Sequence, residues 1–198
     1  MSTSARTRLS PEERRAQLLD LGVRLFARRS LEEISIDLLA QEAGISRGLL
    51  YHYFGDKVAF REAVVRRAAD DLVAQSEPPG EGDALSKLLH SVRAYVDFVD
   101  ANYEGYLSLV RGAASDPALR AIYDEAFGKL TDRVFATETD VVPDTPASRL
   151  LVRGWQAMTE QLVLAWKAGE SGVTRDELLD LLVGSLPALM TALPASGA

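Results

Sequence analysis

Two groups of side chains in this sequence are of types that do chemistry. The first is Ser35, Ser46, Arg47, Gly48, Leu49, Tyr51, His52 and Lys57. It sets hydroxyl, guanidinium, phenol, imidazole and ammonium donors close together. Such donors are what phosphate oxygens and the acceptor edges of bases pair with. The second group is Tyr95, Phe98, Tyr103, Tyr106, Arg111, Tyr123, Phe127, Trp155, Met158, Gln161 and Trp166. Large rings with few polar anchors suit a cavity between helices, although each ring taken singly is equally at home in a core. Catalysis finds little support. The sequence has no cysteine and two histidines, His52 and His90. It has no His-Glu-x-x-His zinc motif, no Gly-x-Ser-x-Gly elbow and no glycine loop to cradle a phosphate. The adjacent pairs Glu32-Glu33 and Asp70-Asp71 do not converge on one face. No enzyme activity, cofactor or metal site is expected.

The first group needs a particular scaffold. Ser35 can cap a short helix over 36–43 whose apolar positions are Ile36, Leu39, Ala40 and Ala43. Gly44 supplies a left-handed turn that a side chain would resist. Ser46 caps the next helix, 47–53, which turns Leu50, Phe54 and part of Tyr53 inward and leaves Arg47, Gly48, Leu49, Tyr51 and His52 near the surface. Two helices joined by a short glycine-containing turn read the major groove. In that arrangement Arg47 reaches guanine, and Gly48 lets the backbone approach the groove. Lys57 opens a further helix, where its charge opposes the helix dipole. That placement makes sense against a DNA phosphate. Arg6 and Arg8 could form an arm into the minor groove.

The run Ala43-Gly-Ile-Ser-Arg-Gly-Leu-Leu-Tyr-His-Tyr-Phe-Gly-Asp-Lys57, preceded by Leu25-Phe26, resembles the N-terminal domain of the TetR family of bacterial transcriptional regulators. The resemblance covers roughly residues 11–65. Turn glycine, helix cap, Tyr51-x-x-Phe54 and Lys57 occur together at the family's spacing. The chain departs from the family at Ser30 and Leu31, where Gly and then an aromatic are usual. It also has Ser35 where Thr is frequent and Val58 where an acidic residue is common. The resemblance implies that Tyr51 and His52 contact phosphates and that the region of the second group is an inducer pocket. It also implies that two helices from each subunit build a four-helix dimer interface.

Composition agrees with a globular DNA binder. The apolar share is 47% and the charged share 26%, ordinary values for a folded chain. The net charge of −7 is unevenly spread: residues 1–57 carry nine basic and eight acidic side chains, and the remainder carries 13 and 21. The protein therefore meets phosphates with one end only. No apolar run reaches the length of about 18 residues that a transmembrane helix needs, and the N-terminus lacks the apolar core of a secretory signal. Together with the lack of cysteine, this fits a bacterial cytoplasm, with the protein nucleoid-associated when bound to DNA.

Turn and cap signals divide the rest into helices. Ser10-Pro11-Glu12-Glu13 opens the first, running to about Arg29. A fourth covers about 57–76, and a fifth starts at Asp83. A sixth lies near 104–113, and a seventh runs from Asp116-Pro117 to about Ala136. After a loop at 137–145, an eighth covers 146–168. Thr174-x-x-Glu177 opens a ninth, 174–193, which Pro187 should kink or break. The expected fold is all-α: a three-helix DNA-binding domain, 1–56, and a six-helix ligand-binding and dimerisation domain, 57–198, linked by helix 57–76. The expected function is that of a homodimeric, ligand-responsive repressor. It would leave a pseudo-palindromic double-stranded operator when a small hydrophobic or aromatic effector binds Tyr95, Phe98, Tyr106, Arg111, Tyr123, Phe127, Trp155 and Met158. For Arg111 a salt bridge to an acidic neighbour is the competing use. The dimer is expected through 146–168 and 174–193, where Leu179 and Leu182 are among the apolar residues available. The alternatives are a DNA-binding regulator without an effector and an all-α enzyme.

Overall fold

The computed structural model describes residues 10–137 and 143–193, and within them it holds nine helices and no strand. Arg6, Arg8 and most of the loop expected at 137–145 lie outside the described residues.

Local chemistry sets most of the helix starts. Helix α1, Pro11–Phe26, opens on a reciprocal box in which Glu13 N donates to Ser10 Oγ (3.1 Å) and Ser10 N donates to Glu13 Oε2 (2.7 Å). It ends three residues earlier than expected. After Phe26 the chain leaves the helix axis, which lets Leu31 and Ile34 bury completely. Helices α2, Ile36–Ala43, and α3, Arg47–Phe54, start on Ser35 and Ser46, whose hydroxyls accept from Leu38 N (3.1 Å) and Leu49 N (3.3 Å). Between them Gly44 sits at φ 63°, the left-handed turn a side chain would strain. Helix α4, Lys57–Gln75, is capped by Asp56. Next come α5, Ala84–Ala101, α6, Tyr103–Gly112, and α7, Pro117–Thr137, with Asp83 and Asp116 capping α5 and α7.

Helix α8, Pro146–Lys167, opens on Thr145 and α9, Arg175–Met190, on Thr174 with Glu177 in return. α9 does not break at Pro187. It runs on to Met190, and Thr191 N still reaches Pro187 O at 3.3 Å. Proline removes one i→i−4 bond and crowds the carbonyl four residues back, and only the last turn of α9 lies beyond it.

One buried core runs through both ends of the molecule. α1 and α4 cross closely at Gly22, where a Cβ would lie 2.5 Å from Val64 Cγ2 and 3.2 Å from Phe60 Cζ. α4 continues from there to pack on α7. α6 meets α1 still more tightly, since a Cβ on Gly105 would fall 2.3 Å from Phe26 O. Beside it, Ser108 Oγ accepts from Leu31 N (3.0 Å) and donates to Glu32 Oε2 (2.8 Å). The apolar side of α9 is used within the protomer: Leu178, Leu179, Leu182, Val183 and Leu186 are all buried. The large apolar side chains left outside on α8 and α9 are Leu150, 73% exposed, and Leu181, 53% exposed.

Candidate nucleic-acid interface and ligand cavity

α3 buries Leu50 and Phe54, packs the half-buried Tyr53 against the core and turns its other residues outward. Arg47, Gly48, Leu49, Tyr51 and His52 are all exposed, as is Lys57 at the first position of α4. Ser35 is half-buried and Ser46 exposed. The two serine oxygens already accept from the backbone, which leaves each hydroxyl proton available to a phosphate. Arg47, with a side chain 68% exposed, reaches back across the turn to Asp37 of α2 at 2.5 Å. An exposed pair of this kind is worth about 0–1 kcal/mol and yields readily to a stronger acceptor. Gly48 has no packing reason to be glycine. Its φ is not in the left-handed region, and a Cβ there would meet nothing closer than Ser46 Oγ at 4.0 Å.

A cavity of about 470 Å³ opens among α4, α5, α7, α8 and α9. Its inner wall is formed by Val92, Tyr95, Phe127, Trp155, Gln156 and Thr159, and its rim includes Leu85, Pro187 and Thr191. Ser76, the cap at the end of α4, is part of the wall. Of the eight residues read from the sequence as ligand contacts, Tyr95, Phe127 and Trp155 line this cavity. Phe98, Tyr106 and Tyr123, again with Phe127, surround a second void of only about 20 Å³. Arg111 is exposed on α6, and Met158, half-buried, lines neither space. The sequence reading left out Leu186 and Met190, which α9 contributes, and the pair Gln156 and Thr159 on α8. That pair carried a signal: two polar residues one turn apart on the buried side of an apolar helix.

Behind the cavity lies a buried polar cluster. Glu160, 5% exposed, accepts from Tyr106 Oη (2.6 Å) and from Tyr123 Oη (3.0 Å to each carboxylate oxygen). Tyr106 Oη also meets Tyr95 Oη at 2.8 Å. Burial, and then the neighbouring Glu160 charge, hold Tyr95 well above the ordinary phenol range. Burial, and then Tyr95 and Glu160, do the same for Tyr106. Tyr123 is raised by the same causes, burial first. All three phenols therefore remain protonated donors at neutral pH.

An exposed donor-rich helix after a glycine turn, backed by a helical domain with an apolar cavity, is matched by known proteins along the chain. Residues 18–64 match the family described as bacterial regulatory proteins, tetR family. Residues 84–189 match the tetracyclin repressor-like C-terminal domain.

The chain belongs to the TetR family.

It is thus a helix-turn-helix transcriptional regulator, and TetR-family regulators bind DNA and form dimers. A TetR-family regulator from Streptomyces coelicolor superposes with a TM-score of 0.83 at 37% identity, over 92% of this chain and 82% of that one. The HTH-type transcriptional activator FasR of Mycolicibacterium smegmatis is 27% identical over 87% of this chain and 81% of its own length. A regulator from Saccharomonospora viridis, solved in complex with choline, shares the fold with a TM-score of 0.63 at 21% identity, over 91% of this chain and 97% of that one. Among the described residues of the present TetR-family chain, no helix is long and apolar enough to cross a membrane.

Proposed function

We propose that this regulator is a homodimeric repressor released from a pseudo-palindromic operator by a small, largely apolar ligand. In this reading residues 1–56 hold the DNA, residues 57–198 hold the ligand and the partner subunit, and α4 joins the two. Arg47, Gly48 and Leu49 meet base edges. Ser35, Ser46, Tyr51, His52 and Lys57 meet the backbone. The observation that carries the reading is the position of α4. Its first residue, Lys57, is exposed beside the recognition helix, and its capping residue, Ser76, is part of the cavity wall. A ligand that binds the DNA-incompetent arrangement more tightly shifts the protein toward it, and DNA weakens ligand binding by the same factor.

The cavity lies within the usual span for small-molecule sites. Its lining favours a hydrophobic or aromatic compound. Leu150 and Leu181 are the apolar side chains we assign to the partner subunit, through α8 and α9. A compound screen read by Trp155/Trp166 fluorescence, repeated in Trp166→Phe to isolate Trp155 and followed by operator titration with each hit, tests the proposal. Hits that quench Trp155 and weaken operator binding about 5–150-fold, the range of ordinary allosteric coupling, support it. Tight binders that leave operator affinity unchanged refute it. One similar protein is named an activator, so transcription is measured as well. A ligand-driven rise marks repression and a ligand-driven fall marks activation.

A further inference from the structure

We infer that the state of the cavity reaches the DNA-binding helices by a second route, a hydrogen-bonded relay through α6 that runs from Tyr95 through Tyr106 to the Leu31–Glu32 turn. The inference rests on the cavity being the effector site and adds the means by which its occupancy is read.

Tyr95 is the one residue that both lines the large cavity and belongs to the buried phenol cluster. Among the described residues its hydroxyl has a single protein partner, Tyr106 Oη at 2.8 Å. Tyr106 donates in turn to the buried carboxylate of Glu160 at 2.6 Å, so its one proton is committed and it accepts from Tyr95. The direction of the chain is therefore fixed: Tyr95 to Tyr106 to Glu160. A bond from a phenol to a buried carboxylate is short and strong, and breaking it strands a charge. A ligand that turns the Tyr95 ring consequently moves the Tyr106 end of α6 more readily than it breaks the chain.

α6 cannot absorb that movement. One residue before Tyr106, Gly105 presses on the backbone oxygen of Phe26, the last residue of α1. One half-turn on, Ser108 uses both faculties of its hydroxyl on the following turn, accepting from Leu31 N and donating to Glu32. Glu32 also lies 3.7 Å from Arg61 of α4. The turn after α1 is thus the joint on which α4 and α6 both converge, directly ahead of α2. The Leu31 amide is buried there and satisfied by a side chain 77 residues away. Its protection from hydrogen exchange reports whether the joint is closed.

The test is residue-resolved amide exchange on the full-length protein, comparing wild type with Tyr106→Phe and with Ser108→Ala. Ser108→Ala removes the acceptor and sets the scale for an open joint. Tyr106→Phe touches neither Leu31 nor Glu32, yet is expected to raise Leu31 exchange about tenfold, the size of one net hydrogen bond, while Val163 and Leu182 in the α8–α9 packing keep their wild-type rates. A Leu31 rate unchanged in Tyr106→Phe overturns the relay. So does a uniform rise through the whole chain, which would mark a loss of global stability alone.

A second arm fills the cavity with N-phenyl-1-naphthylamine, a neutral dye of three aromatic rings, followed by energy transfer from the two tryptophans, Trp155 and Trp166. Binding that alters Leu31 exchange in wild type and leaves it unaltered in Tyr106→Phe, at equal dye affinity, supports the relay. An equal response in both proteins overturns it. Failure of the dye to enter counts against the cavity as a ligand site, and the first arm decides the relay without it.

Discussion

Changing Gly48 to alanine should move stability and DNA binding in opposite directions. Gly48 is the second residue of α3, with a backbone any L-residue can adopt and no protein atom within 4.0 Å of an added Cβ other than Ser46 Oγ at that distance. Alanine should therefore fit without strain and reduce the entropy of the unfolded chain, a gain of about 0.5–1 kcal/mol. For a chain of this size each kcal/mol raises Tm by about 2–4 °C, so a rise of roughly 1–4 °C is expected in a calorimetric scan. In the proposed reading the added methyl points into the space where the groove would lie. The loss should be of the order of one base contact, about 1–3 kcal/mol in each half-site, or roughly 5–150-fold for each half-site engaged. Fluorescence anisotropy on the selected operator and on a scrambled duplex, at one fixed salt concentration, measures it. A stabilised variant that binds operator as tightly as wild type would show that the start of α3 stands off from the bases. A destabilised variant would show that the glycine serves the fold, and the argument from open space would be wrong.

Lys57→Ala should weaken binding to every duplex alike and reduce the dependence of log affinity on log salt by about one unit per subunit, checked by titrations across a salt series. Leu150→Glu combined with Leu181→Glu should yield a folded monomer with weakened operator binding, because both side chains are exposed in the protomer and surface changes usually cost within about 0.5 kcal/mol. Sedimentation and circular dichroism together decide the matter, and an unaltered dimer would place the interface elsewhere. Alkaline conditions should also unfold the protein early. Burial first, and then the Glu160 charge, raise the Tyr95 phenol, and Tyr106 is raised with it. Above about pH 10 the unfolded chain releases phenol protons that the fold retains, so stability is full below that pH and falls as pH rises through and beyond it. Urea midpoints from pH 8 to 11 should show the fall, and Tyr106→Phe should make it shallower.

The DNA-binding end was legible because its signals are local. Ser35, Gly44, Ser46 and Asp56 each act on a backbone group within four residues, and the helices begin or end where those residues stand. The set of large rings, together with the family resemblance, also pointed to the cavity's neighbourhood through Tyr95, Phe127 and Trp155. What stayed hidden depends on which faces meet. The leucines of α9 have one pattern whether they face their own domain or a second subunit, and the fold places Leu179 and Leu182 inside. Arg111 suggested an anchor for a ligand because its helix is apolar, yet it sits on the exposed side of α6. Glu160 and its phenols lie on separate helices, 54 residues apart for Tyr106 and 37 for Tyr123, so no spacing announces the cluster. Ser108 reads as an unremarked small polar residue until Leu31 is brought against it.

The crossing at Gly22 decides what a lever of this length can do. The 19 residues of α4 span about 28 Å at 1.5 Å per residue. Pivoting about its Ser76 end by roughly 7°, such a rod carries Lys57 about 3.4 Å, one base-pair step of duplex. A looser packing would let the tip swing and leave the reading head behind. With no room even for a methyl group between α1 and Val64 of α4, the rotation is handed to α1 and the elements packed on it as a unit. In the proposed dimer, a tilt of a few degrees at each cavity would become a change in the gauge between two reading heads, set against a DNA whose helical repeat does not change to match.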